Sequence, residues 1–266
     1  MGHGGTLDPA ATGVLPIFFG RATVLAEFLS AQGKCYSGEV VLGAYSTTDD
    51  AEGELTHVTI DREPARADVA AALAGFVGEI QQAPPAYSAV KVRGERSYRR
   101  ARRGDKPEPA ARPVQLSAAR LDGIRRDNGG SLVARIEITC GPGFYVRSLA
   151  RDMGRVLGTG AYLGSLRRTS VGPLRVADAI GLEQAEALGE MLAGRLLPAT
   201  VAVGSMIAVP VLREDEARLA HGMEVPAPVV GVGPAYARGD GDRLLAIGEV
   251  FAGRFHPRRL VEVEAG

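Results

Sequence analysis

The sequence predicts an α+β fold: a main domain in which helices flank a mixed or antiparallel sheet, and a small β-rich domain at the C-terminal end. Three observations carry this. Over residues 132–140, Leu132, Ala134, Ile136, Ile138 and Cys140 alternate with Val133, Arg135, Glu137 and Thr139, the period-two pattern of a half-buried strand. Helix-spaced apolar stretches and strand-like stretches succeed one another irregularly, without the steady alternation of a parallel α/β sheet. Beyond about Ser205 the texture changes to short apolar pieces between glycines and prolines, at 207–212, 229–232, 244–250 and 260–263, the pattern of several short strands. We therefore divide the 266 residues into a main domain, 1–204, and a small one, 205–266.

The chain opens on a glycine-rich stretch, His3-Gly4-Gly5-Thr6-Leu7-Asp8-Pro9-Ala10-Ala11-Thr12-Gly13. Glycines permit tight turns, and Pro9 biases Asp8 towards an extended backbone, so Asp8 sits on a stiff loop. Spacing alone leaves open a turn aspartate bonded to its own backbone. Residues 14–19 are apolar and bounded by glycines, which predicts a buried strand, with Pro16 marking an edge or bulge. Residues 21–31 read as a helix closed by Gly33, and 35–42 as a strand carrying Tyr36. The polar stretch 43–53 reads as a loop. Val69, Leu73, Phe76, Val77 and Ile80 have helical spacing and predict a helix over 68–80. The double proline of 82–89 then breaks regular structure. After the strand at 132–140, Gly141-Pro142-Gly143 makes a turn, and Val146, Leu149, Ala150, Met153 and Leu157 mark a helix. A further helix is predicted over 181–197.

Composition narrows the function. Apolar content of 45% with 23% charged residues is that of a globular protein, and no apolar run approaches the ~20 residues of a bilayer span. The opening residues lack the features of a secretory signal. The two cysteines, Cys35 and Cys140, lie far apart without metal-ligand spacing, which predicts a reducing cytoplasm and neither disulfide nor metal. Thirty-one basic residues balance 31 acidic ones, so only a local concentration of charge could favour a polyanion. One exists: Lys91, Arg93, Arg96, Arg99, Arg100, Arg102 and Arg103 face the single acid Glu95. Such a run is either a solvated face or a grip for phosphates.

Five ordered blocks resemble the TruB-type tRNA pseudouridine-55 synthases. Gly2-His3-Gly4-Gly5-Thr6-Leu7-Asp8-Pro9 with Ala11-Thr12-Gly13-Val14-Leu15-Pro16 is similar to the family's catalytic motif. Lys34-Cys35-Tyr36 with Leu42-Gly43 and Asp50-Ala51-Glu52-Gly53 resembles its tyrosine-bearing strand and the loop that follows. Gln82-Ala83-Pro84-Pro85-Ala86-Tyr87-Ser88-Ala89-Val90-Lys91-Val92-Arg93-Gly94 continuing to Tyr98 and Ala101-Arg102-Arg103-Gly104, Cys140-Gly141-Pro142-Gly143-Phe144-Tyr145-Val146-Arg147-Ser148-Leu149-Ala150-Arg151-Asp152, and Leu166-Arg167-Arg168-Thr169 with Gly172 complete the set. The tail resembles, more weakly, a PUA-like RNA-binding domain.

The resemblance implies a pseudouridine-synthase-type sheet and an isomerase, working without cofactor or metal, that converts one T-loop uridine of tRNA to pseudouridine. It implies Asp8 as the catalytic carboxylate and Arg147 as its partner. Tyr36 would stack on the base, Leu166 would form an apolar wall, and His3 would fill the space left when the uridine leaves its stack. It turns the basic run, with Lys91, Arg93, Arg99, Arg100, Arg102 and Arg103, into a grip on the RNA backbone. The protein is expected to be a cytoplasmic monomer that binds the T-loop and T-stem and no membrane. The family carries a Lys-Pro-x-Gly-x-Thr-Ser segment ahead of the catalytic motif, and here Met1 stands two residues before His3. A start assigned too late is the expectation. The alternative is a catalytically impaired RNA-binding or tRNA-folding protein. Ser46 and Phe144 are mild departures from the family's threonines.

Overall fold

The computed structural model describes residues 1–88, 90–92, 94–105 and 109–263. The chain forms two compact bodies, one of residues 7–14 and 32–171, the other of 1–6, 15–31 and 172–266.

The first body is built on strands β1 (Lys34–Leu42), β2 (Ala44–Ser46), β3 (Leu55–His57), β4 (Gly78–Gln82), β5 (Arg112–Arg126), β6 (Leu132–Cys140) and β7 (Ala161–Val171). Its main sheet runs β7-β1-β6-β5-β4, antiparallel throughout. The short strand Thr12–Gly13 lies parallel to β7, with Thr12 opposite Arg167 and Gly13 opposite Arg168, so the sheet is mixed. Helices α1 (Arg66–Ala74) and α2 (Val146–Leu157) cover one face. Val40, Leu42, Ala134, Ile136 and Ile138 from the strands pack there on Val69 and Leu73 of α1 and on Val146, Leu149, Ala150 and Met153 of α2. Helix α2 ends on Gly158, whose φ of 68° provides the left-handed cap that glycine adopts without strain.

In the second body a five-stranded sheet contains β8 (Ile207–Pro210), β9 (Val225–Pro226), β10 (Gly233–Arg238), β11 (Leu244–Phe251) and β12 (Arg254–Val263). Its order is β8-β10-β11-β12-β9, with β8 and β10 parallel. Helix α3 (Arg213–Ala220) adds Leu219 to a core of Val209, Val225, Ala235, Ala237, Ala246, Val250 and Phe255.

Several elements differ from expectation. The stretch 14–19 is not a buried strand: pairing is confined to Ile17–Phe18 against Gly2–His3, and Leu15, Ile17 and Phe19 are each more than 40% exposed. Gly13 (φ 111°) and Gly20 (φ 52°) turn the backbone at both ends, and Pro16 withholds a ladder donor. The helix predicted over 68–80 stops at Ala74. Gly78 takes a φ of 119° and the chain continues as β4, where Ile80 pairs with Val114. The loop at 43–53 begins with β2, which pairs with β3. Residues 21–31 divide into a 3-10 turn, Gly20–Leu25, and a short helix, Ala26–Ser30. Likewise 181–197 divides into Leu182–Leu188 and a 3-10 stretch, Gly189–Arg195. Residues 229–232 form a bend in which Val230 is fully exposed, and the strand begins only at Gly233. Among the described residues no helix is long and apolar enough to cross a membrane.

A candidate active site around Asp8 and Arg147

The loop bearing Asp8 is fastened to the sheet just beyond that residue. Ala11 N donates to Asp8 O at 2.9 Å, closing a turn, and the chain then pairs with β7. Val14 N donates to Arg168 O at 3.0 Å, while Arg168 Nε returns a bond to Val14 O at 2.9 Å. Gly13 makes this approach possible: a Cβ there would lie 2.1 Å from Arg168 O.

Opposite Asp8 stands Arg147, the second residue of α2. Its entry into the helix is fixed by Gln82, whose side-chain amide accepts from Tyr145 N at 2.8 Å and donates to Tyr145 O at 3.0 Å. Ser148 Oγ adds a bond to Ala83 O at 2.9 Å. The guanidinium presents one edge to Asp8, with Nε 2.9 Å from Oδ2 and Nη2 donating to Oδ1 at 3.0 Å. The contact is thus a two-point ion pair in which one hydrogen bond, from Nη2, is aligned. Nη2 also donates to Tyr87 O at 3.2 Å; Nη1 donates to Thr48 O at 3.2 Å and lies 3.3 Å from Asp50 Oδ2. The group thus donates three hydrogen bonds, to Thr48 O, Asp8 Oδ1 and Tyr87 O, while Nε is held against Asp8 Oδ2 by the ion pair and not by an aligned hydrogen bond. The Arg147 side chain is 7% exposed and that of Asp8 40%, so the cation is enclosed while its carboxylate partner stays open to solvent.

Asp50 comes from the turn between β2 and β3. Ser46 Oγ and Thr48 Oγ1 bond to Asp50, and Asp50 Oδ1 accepts from Glu52 N at 3.1 Å. Gly53 closes the turn because a Cβ there would lie 2.3 Å from Ser46 Oγ.

Tyr36 projects from β1 on the helix-covered side and lies opposite Arg168 of β7. Leu166 pairs with Gly38, where a Cβ would come within 3.3 Å of the leucine side chain and 3.0 Å of Ser165 O. Gly38 therefore leaves room for Leu166 on the face that carries Tyr36. Burial pushes the Tyr36 phenol above its ordinary range; Cys140 and Asp8 push the same way, and the charge and hydrogen bond of Arg168 oppose them.

Asp8, Arg147, Tyr36 and Leu166 thus belong to one body. His3 belongs to the other, on the two-residue strand that pairs with Ile17–Phe18. In the basic run, Lys91–Val92 pairs with Glu95–Arg96 and a helical turn, Ser97–Arg102, follows. Arg103 pairs with Glu95 at 2.7 Å and Arg100 with Asp105 at 3.1 Å, whereas Arg99 is exposed. The hydrogen bond from Arg103 holds the Glu95 carboxyl below its usual range. Arg93 lies outside the described residues, as do the side chains of Lys91 and Arg102.

The same residues lie within a family match. The N-terminal-domain model of the TruB family pseudouridylate synthases covers residues 1–146, and the C-terminal-domain model of tRNA pseudouridylate synthase B covers 147–203. The chain belongs to the TruB family of pseudouridylate synthases. A Bradyrhizobium diazoefficiens protein named tRNA pseudouridine synthase B is 44% identical over 97% of this chain and 76% of its own length. A Thermobifida fusca protein of the same name is 42% identical over 97% of this chain and 87% of its own. Among solved structures, an H/ACA RNP bound to a substrate RNA containing 2′-deoxyuridine has a chain that superposes with a TM-score of 0.72 at 20% identity, over 98% of this chain and 76% of that one. A Cbf5-Nop10-Gar1 complex gives 0.67 at 23%, over 100% and 73%. These likenesses place the TruB-family chain in the same α+β fold.

The residues that hold Arg147 leave little trace in the sequence. Asp50 lies in a polar turn among other acidic residues, and Thr48 and Tyr87 contribute backbone oxygens, which leave no side-chain signature. Gln82 was legible only as a residue before two prolines.

The raised Tyr36 phenol has a consequence for stability. Above about pH 10, the ordinary tyrosine value, the folded protein keeps a proton that the unfolded chain has released, so this contribution falls as pH rises. Denaturant unfolding from about pH 9 to about pH 11 should show wild type losing stability more steeply than Tyr36→Phe. Parallel profiles would contradict the assignment.

Proposed function

We propose that this chain isomerises uridine-55 in the T-loop of tRNA to pseudouridine, with Asp8 as its catalytic carboxylate. The observation that carries the reading is the asymmetric Arg147–Asp8 pair, a buried guanidinium holding the edge of a carboxylate that is itself 40% exposed. The relatives' names support tRNA as the substrate.

The reaction breaks the bond between C1′ and N1 of the uridine and joins C1′ to C5. The C5 proton leaves and N1 takes one up, so atoms balance and no cofactor, metal or redox partner is called for. Asp8 can serve as a nucleophile because it is presented on a rigid loop with its oxygens already oriented. Arg147 fixes that orientation and offsets charge as the carboxylate is engaged. Tyr36 supplies a ring for the released uracil to stack on. With its phenol pushed up by burial, it acts near neutral pH as a proton-bearing group and not as a phenolate base. Leu166 lines the same face with apolar surface. His3 would occupy the stack vacated by the extruded uridine, which otherwise costs a few kcal/mol.

Lys91, Arg93, Arg99, Arg100, Arg102 and Arg103 would hold the RNA backbone, residues 1–204 would form the catalytic domain, and residues 205–266 would act as a PUA-like RNA-binding domain. The protein would work as a cytoplasmic monomer.

Asp8→Asn keeps the side chain's size and removes the nucleophile; turnover should fall at least about 10³-fold while tRNA affinity stays within a factor of about two. Wild-type turnover in the variant would overturn the assignment. In the basic run, Arg99→Gln should lower the slope of log affinity against log salt by about one, and Arg103→Gln by less, because Arg103 is already paired with Glu95. Equal or unchanged slopes would return the run to a solvated face.

A further inference from the structure

One turn beyond Arg147 on α2 lies a second enclosed arginine, Arg151, with a side chain 13% exposed, and nothing in the chemistry above uses it. Residues four apart share a helix face, so it points towards the same loops. Nη1 donates to Asp49 Oδ2 at 2.8 Å, and Nη2 donates to Ala83 O at 3.0 Å. The remaining edge is held by Asp152, with Nε to Oδ1 at 2.9 Å and Nη2 to Oδ2 at 3.2 Å.

Its two outward contacts fall on the two segments that hold Arg147. Ala83 opens the segment ending at Tyr87, whose carbonyl accepts from Arg147 Nη2. Asp49 stands between Thr48, whose carbonyl accepts from Arg147 Nη1, and Asp50, whose carboxylate lies beside the same nitrogen. Asp49 has a φ of 63°, a left-handed backbone that aspartate tolerates better than most residues and that reverses the chain at this point. The reversal lets a carbonyl on one side of Asp49 and a side chain on the other converge on one guanidinium. Its backbone is anchored as well: Asp49 N donates to Ser46 O at 3.2 Å, and Leu163 N of β7 donates to Asp49 O at 3.0 Å. What the backbone bonds leave unfixed is the approach of this turn to α2, and the Asp49–Arg151 pair spans that gap. Burial pushes the Asp49 carboxyl up, and Arg151 is the largest influence opposing the rise.

We propose that Asp49 and Arg151 are positioning residues for the isomerisation: their enclosed ion pair draws the 46–53 turn onto α2, so that Thr48 O and Asp50 hold Arg147 edge-on to Asp8. The proposal rests on the reading of Asp8 and Arg147 given above. It differs from a stabilising ion pair in what it demands of catalysis. A pair that only stabilises would lower the melting temperature and leave the turnover of the folded enzyme intact. A pair that aims Arg147 acts on the chemical step, because small displacements of a catalytic group cost rate steeply.

The test uses the full chain and an unmodified tRNA transcript. Asp49→Asn keeps the shape, an acceptor and the left-handed backbone while removing the charge; Arg151→Gln removes the other partner; Asp49→Asn/Arg151→Gln removes both. Each single variant should lose tenfold or more in kcat with KM for tRNA within twofold, and the double variant should be no slower than the slower single one. Wild-type kcat in either single variant overturns the proposal, even if melting falls, and so does a double variant whose loss is the product of the two. Asp49→Gly, which relieves the backbone and removes the carboxylate, makes the same test if Asp49→Asn fails to fold. Absence of isomerisation by the wild-type chain would instead sink the reading on which the proposal rests.

Discussion

A guanidinium only 7% exposed needs acceptors and opposite charge around it, and the body that contains Arg147 is arranged around gathering them. Five oxygens from three stretches of the chain surround this guanidinium: Asp8 Oδ1 and the carbonyls of Thr48 and Tyr87 accept hydrogen bonds, and Asp8 Oδ2 and the Asp50 carboxylate add charge. Each source is separately fastened. The Asp8 loop is tied to β7 through Val14 and Arg168, the 46–53 turn is closed by Ser46, Thr48 and Gly53, and the segment from Gln82 is clamped to the start of α2. Because leaving a buried cation short of acceptors costs several kcal/mol, the loops and the arginine specify one another's positions.

That mutual constraint explains how groups proposed to react can sit on loops. Loops tolerate movement, and catalysis does not; the usual solution is a loop positioned by a rigid scaffold. Here the scaffold is the junction of β7, β1 and α2, held together by the apolar packing of Val40, Leu163, Leu149, Ala150 and Met153. Gly13 and Gly38 let backbone and side chains approach more closely than any larger residue would. The result is a carboxylate on the open side of a filled charge cluster, with a ring and an aliphatic side chain on the adjoining strands.

Much of this was legible in the sequence. The strand at 132–140 and the helix after Gly141-Pro142-Gly143 announce themselves because burial of one face imposes a period that composition cannot imitate, and the strand expected at 35–42 shows through its Val40-Val41 core between glycines. Asp8, Tyr36, Arg147 and Leu166 were legible through ordered blocks. The long strand Arg112–Arg126 was not, since its exposed positions and bulges blur the alternation. Ile80 fitted a helical period by coincidence and belongs to a strand, because Gly78 turns the chain first. Nor could the sequence reveal Thr48 O and Tyr87 O as ligands of Arg147, or the left-handed Asp49 that brings two of its acceptors together. Those depend on carbonyl direction, which only the folded chain fixes.

The central claim, that the Asp8–Arg147 cluster carries out uridine isomerisation in tRNA, is tested most directly by incubating the purified chain with tRNA labelled with tritium at C5 of uridine. Formation of the C1′–C5 bond must release that label. The account predicts release approaching one equivalent per tRNA, with pseudouridine mapped to the T-loop position. No release above an enzyme-free control, or release mapping elsewhere in the tRNA, would contradict it.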